Sequence, residues 1–157
     1  MYAGKQISHN PGLHPKGRRI KPLAIKAQVS TLLWKIKLEP VILHEQENEG
    51  KTIIEKFERY ASVKAAIVLF TGDEVGKYKD DMKSEKRVRQ NVIFEAGYFM
   101  GKLGRENTII LAEEGLAIQS DLQGFIYIPL DENKRWHIDV AKELKTAGFD
   151  IDMNDAV

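Results

Sequence analysis

The chain has no cysteine, which excludes disulfides, thiolate metal sites and a cysteine nucleophile. It has no run of about 18 apolar residues, the length a membrane-spanning helix requires, so no membrane partner is expected. The opening Met1-Tyr2-Ala3-Gly4-Lys5 lacks the apolar core of a signal peptide. The four histidines do not fall at metal-ligand spacing, so no metal is expected. Internal repeats and low-complexity tracts are also missing. What remains is the profile of a cytoplasmic globular protein. Its 157 residues suit one domain, long enough to bury most of the apolar surface exposed by the unfolded chain.

The net charge of +1 conceals an asymmetry: residues 1–44 hold eight Lys/Arg and one acid, Glu39, while the rest of the chain is acidic. A basic first third attracts phosphate-bearing ligands, nucleic acid or membrane surfaces, but it equally describes a solvated face. Nucleic acid is therefore not the expected partner.

Hydrophobic patterning alternates between strand and helix. Residues 1–21 read poorly: Lys5-Gln6-Ile7-Ser8-His9 is at best a weak strand, and Pro11-Gly12, Pro15 and Gly17 mark a loop. Pro22 opens a helix in which Ile25, Val29, Leu32, Leu33 and Ile36 recur at helical spacing. Val41-Ile42-Leu43 is predicted as a short buried strand, and Thr52-Ile53-Ile54-Glu55 as a capping box that opens a helix with Phe57 inward. Ala65–Phe70 is a continuous apolar run of the kind covered on both faces. A charged loop is expected over 73–88, a helix over 89–103, strands over 108–111 and 125–128, and a last helix ending at Gly148. Trp34 and Trp136 read as core. This order implies an α/β fold, a three-layer sandwich with a parallel sheet of four to five strands flanked by helices. Ligands of such sheets bind outside the carboxyl ends of the strands. The expected site loops are residues 8–21, 44–51, 71–89, 112–124 and 131–135.

The helix at 89–103 is the most informative element. Val92, Ala96, Phe99 and Leu103 form one apolar stripe; Asn91, Glu95, Tyr98 and Lys102 form the next. Glu95 lies in the second turn among Ile93, Phe94 and Ala96. A carboxylate partly desolvated near a helix start is a candidate functional group, and an exposed helix-forming glutamate is the plain alternative. Asn91 either caps this helix or serves the site.

The segment Arg89-Gln90-Asn91-Val92-Ile93-Phe94-Glu95-Ala96-Gly97-Tyr98-Phe99 resembles the signature of the TIR-like predicted nucleotide-binding family. Bacterial members are effectors of anti-phage signalling joined to cyclic-nucleotide sensors, as in TIR-STING and Pycsar-type proteins. The resemblance continues in Leu38–Gln46, in Asn48–Lys56, and in Ser120-Asp121-Leu122-Gln123-Gly124 before Tyr127-Ile128-Pro129, covering roughly residues 22–150. It implies a flavodoxin-like fold, with a TIR-like domain over 22–157 and a divergent N-terminal part over 1–21. It also implies NAD as substrate, cleaved at the nicotinamide–ribose bond, with Glu95 as the catalytic residue. The loop His44, Glu45, Asn48, Glu49, Gly50 and Lys51 maps to the segment through which related domains self-associate. Ser8 and His9 map to the end of the family's first strand, and Arg18 and Arg19, with Lys16, are candidates for the NAD pyrophosphate. Asn91 and Tyr98 are candidates for orienting Glu95 or touching substrate. The first strand departs from the family's strongly apolar pattern, and a cyclic-nucleotide sensor domain is not in this chain.

One carboxylate suffices for such a reaction. Ordinary glycosidases use two because the leaving oxygen needs a proton. Nicotinamide leaves a cationic linkage as a neutral molecule, so the need is to stabilise a cationic ribose. Two other classes share the pattern: a non-catalytic nucleotide-binding or assembly module, and a nucleoside deoxyribosyltransferase-like enzyme.

Overall fold

The computed structural model describes residues 12–13, 19–20, 22–43, 53–60, 62–72, 74–76, 85–116 and 127–157. The weak strand expected at Lys5–His9 and the loop at 44–51 lie outside these residues. Within the expected N-terminal loop, β1 (Gly12–Leu13) and β2 (Arg19–Ile20) form a short antiparallel pair with Gly12 opposite Ile20.

Helix α1 (Pro22–Lys35) begins on proline, whose missing N–H is needed least in the first turn. Its stripe of Ile25, Val29, Leu32, Leu33 and Ile36 is buried as the spacing predicts. Trp34 is a correction: it is 60% exposed. It falls about 100° around the helix from Leu33, beside the exposed Thr31 and Lys35 rather than on the buried stripe. The strand expected at Val41-Ile42-Leu43 is a second correction, since these residues join no ladder among the described residues. Pro40 removes one backbone donor at the start of the segment. Leu43 instead anchors it by packing with Phe57, Ala66 and Phe99.

The described sheet has three parallel strands: β3 (Ala66–Phe70), β6 (Thr108–Ala112) and β7 (Tyr127–Pro129), in the order β3-β6-β7. Side chains alternate across the pleat, so each strand feeds two cores. Ile67, Leu69, Ile109, Leu111 and Ile128 pack against α1 and against α4 (Trp136–Thr146). Val68, Phe70, Ile110 and Ala112 pack against α3 (Gln90–Leu103). Helix α2 (Ile53–Tyr60) joins this second face through Phe57, which clusters with Ala66 and Phe99. The result is the flavodoxin-like three-layer arrangement expected from the strand–helix alternation. Every residue of β3 and β6 is buried, which explains why both strands are unbroken apolar runs.

The charged segment 73–88 is not wholly a loop: β4 (Glu74–Gly76) and β5 (Glu85–Arg87) pair antiparallel within it. At the far end of α3, Gly104 takes φ 91° and ψ 157°, a conformation essentially restricted to glycine. Its N–H closes on the carbonyl of Met100 at 3.1 Å, and one 3-10 turn, Arg105–Asn107, leads into β6.

Helix α4 is held at both ends. The Asp131 carboxylate accepts from the N–H groups of Arg135 and Trp136, each at 3.2 Å, satisfying donors that a helix start leaves open. Gly148, with φ 83°, ends the helix as expected, and Phe149 N–H returns to the Leu144 carbonyl at 3.1 Å. Trp136 is core, as predicted.

His137 in α4 carries a pH dependence. Burial, then the positive charges of Lys134 and Lys35, hold its pKa below the ordinary value of 6.5, against a smaller opposing effect of Asp131. The unfolded chain therefore binds a proton at a higher pH than the folded one. The stabilising effect of neutral His137 is complete above about pH 6.5 and declines below it, towards the lower folded pKa. Melting temperature is expected to fall between pH 7.5 and 5.5, and His137→Gln should flatten that slope. Equal slopes in the two proteins would exclude His137 as its source.

Candidate functional site

The register of the sheet places Phe70, Ala112 and Pro129 side by side at its carboxyl edge. Pairing continues one residue further: Glu113 N–H bonds the Phe70 carbonyl and Leu130 N–H bonds the Ala112 carbonyl, both at 2.9 Å. Beyond these bonds the chain leaves the sheet at Thr71-Gly72, at Glu113 and at Asp131. This is the edge outside which open α/β sheets bind their ligands.

Helix α3 runs back along β3 from this edge. Val92 and Ala96 cluster with Val68 and Phe70, whereas Phe99 clusters with Ala66 at the opposite end of the strand. The first two turns of α3 therefore lie beside the carboxyl half of β3, and Glu95 belongs to them. Glu95 is 6% exposed, and its Oε2 is closed off from solvent. Asn91 and Lys102, which share its stripe, are exposed, and Tyr98 is half-buried. Burying a carboxylate is costly unless the site compensates it, so the plain alternative of an exposed helix-forming glutamate does not hold.

Aromatic rings cluster along this part of α3. The Phe57 ring of α2 lies 6.4 Å from Phe94, 5.2 Å from Tyr98 and 5.6 Å from Phe99, between centroids. Tyr98 and Phe99 occupy the positions three and four residues after Glu95, on its own side of the helix. Phe94 remains 52% exposed despite stacking on Phe57.

Asn91 is not the cap of α3. The capping position is Arg89, which makes no side-chain cap bond, and Asn91 sits one residue inside the helix. Asn91 is exposed in the first turn of the helix. Arg19 belongs to β2. Ser8, His9, Lys16, Arg18 and the loop residues His44, Glu45, Asn48, Glu49, Gly50 and Lys51 lie outside the described residues.

The structure adds residues that sequence reasoning passed over. Glu113 is 5% exposed, and its Oε2 accepts the Gly72 N–H at 3.0 Å, fastening the exit of β3 to the exit of β6. Thr71, 3% exposed, stands beside that bond. A usable signal existed: both residues follow directly on buried apolar runs, at the strand ends where sites form. Among the described residues there is no group of His, Asp and Glu able to hold a metal ion, and no helix is long and apolar enough to cross a membrane.

Comparison with known proteins places the site in context. Residues 20–132 match the family described as CAP12/Pycsar effector protein, TIR domain. The chain is 41% identical to the uncharacterized protein YuaY of Escherichia coli K12 over 130 residues, covering 82% of this chain and 44% of that protein. It is 36% identical to the protein tirC of Dictyostelium discoideum over 120 residues, covering 69% of this chain and 60% of tirC. A shorter match of 43 residues, 46% identical, links 26% of this chain to 14% of the Pycsar effector protein BcPycTIR of Burkholderia cepacia. The chain thus spans about half the length of the first two relatives.

Proposed function

Since this chain belongs to the TIR domain family of CAP12 and Pycsar effector proteins, we propose that it is an effector domain of anti-phage signalling that cleaves NAD at the nicotinamide–ribose bond. The observation that carries the reading is the burial of Glu95, inside the matched segment and beside the carboxyl edge of the sheet.

In this reading, the bond between the ribose anomeric carbon and the nicotinamide nitrogen breaks, and its electron pair leaves with nicotinamide, which departs neutral. Positive charge develops on the ribose, and the Glu95 carboxylate stabilises it. A carboxylate removed from bulk water acts on that charge more strongly than an exposed one. Water then adds to the anomeric carbon and releases a proton, giving ADP-ribose. If an adenine nitrogen takes the place of water, the product is cyclic.

Self-association through the 44–51 loop completes the site in this proposal, and a cyclic-nucleotide sensor supplies the signal that brings copies together. Nicotinamide release per protomer is expected to rise more than proportionally when copies are fused to an oligomeric scaffold. Chromatography of NAD incubated with dilute and scaffolded protein measures this. Intact NAD in both states would move the assignment to a binding or assembly module.

A further inference from the structure

Strand β3 leaves the sheet through Thr71 and Gly72, and these two residues are provided for differently. The Gly72 N–H is bonded to the Glu113 carboxylate at 3.0 Å. Thr71 Oγ1 is closed off from solvent and has no hydrogen-bond partner among the described residues. A buried hydroxyl without a partner costs about 1–3 kcal/mol, and native folds rarely retain one without cause. Packing alone gives no reason for threonine here, since valine has the same shape without the polar atom. The position of Thr71 suggests a cause: it is the first residue beyond β3, at the edge where a ligand of this fold sits.

The surroundings also select among the parts of a dinucleotide. A phosphate is held by unoccupied N–H donors or by cations. The N–H of the next residue, Gly72, is already taken by Glu113. A sugar hydroxyl needs neither, because it can donate to Thr71 Oγ1 and accept from it. We infer that Thr71 contacts substrate, its hydroxyl bonding a ribose hydroxyl of the dinucleotide, while Glu113 holds the exit of β3 in place for that contact. This rests on the NAD reading given above.

The test is Thr71→Val in the full chain, assembled on the scaffold, with KM, kcat and melting temperature measured together. Removing the hydroxyl should raise KM for NAD roughly five- to tenfold, the equivalent of one neutral hydrogen bond. The melting temperature should hold or rise, because the variant no longer buries an unbonded polar atom, and Thr71→Ser should restore KM. With NAD analogues lacking one ribose hydroxyl at a time, the valine penalty should vanish for one of them. An unchanged KM overturns the inference. So does a melting temperature several degrees lower, which would assign the hydroxyl to the fold. A penalty that persists with every deoxy analogue also overturns it, by pointing to phosphate or base. In all three cases the unsubstituted protein still cleaves NAD. If that protein neither cleaves nor binds NAD, the reading beneath the inference fails first and the inference falls with it.

Discussion

Glu95→Gln is expected to lower nicotinamide release from NAD by at least about a hundredfold, the usual loss when one electrostatic stabiliser of a developing charge is removed. Glutamine keeps the size and shape of the side chain and discards only the charge. Because the glutamate is buried, the substitution also ends the cost of keeping a carboxylate away from water. The folded structure should therefore persist, with a melting temperature within a few degrees of the original. The decisive comparison is activity against stability in the same sample. An inactive, folded protein assigns Glu95 to the reaction. An unfolded one would show that the carboxylate holds α3 to its neighbours. Activity retained in a folded variant would remove Glu95 from the mechanism.

Phe99→Ala should have the largest effect on stability. Phe99 is almost wholly enclosed and lies between Phe57 of α2, Ala66 of β3 and Leu43. It therefore fixes two helices and the irregular segment after α1 to the same face of the sheet. Large-to-alanine truncation of an enclosed phenylalanine costs about 3–5 kcal/mol, from lost transfer energy and from the cavity left behind. In a domain of this size, that corresponds to a fall in melting temperature of roughly 6–20 °C. Thermal or denaturant unfolding followed by circular dichroism measures it. A change of only a degree or two would mean that α2 and α3 close over the space, and that their packing is less constrained than the ring contacts imply. Phe99 stands one turn after Glu95, so any activity left in the folded fraction also reports how far this packing positions the carboxylate.

Much of the architecture follows from sequence, because burial on one or both faces imposes a period. The unbroken runs Ala65–Phe70 and Thr108–Leu111 became wholly buried strands, since strands covered by helices on both faces have no polar side to display. The stripe Ile25, Val29, Leu32, Leu33, Ile36 became the buried face of α1. Gly148 ended the last helix, because the left-handed turn there excludes side chains. Ordered motifs over most of the chain also brought Glu95 forward before any geometry was known.

Other features are properties of the packed molecule. Helical spacing puts Asn91, Glu95, Tyr98 and Lys102 on one stripe but does not say which of them is covered. Tertiary packing decides that, and it buries Glu95 while leaving Asn91 and Lys102 exposed. Trp34 looked like core because large aromatics usually are, yet its angle on α1 turns it outward. The three-residue apolar run Val41–Leu43 joins no ladder among the described residues, and Leu43 is buried against Phe57 and Phe99. The bond from Gly72 to Glu113 joins residues 41 positions apart. No local pattern encodes such a pairing, since it exists only once two parallel strands have aligned their carboxyl ends. The sequence by itself therefore determined the layers and the helix that bears Glu95, through periodicity and local turn chemistry. The tertiary structure alone decided which polar groups are enclosed at the sheet edge, because enclosure depends on neighbours distant in the chain.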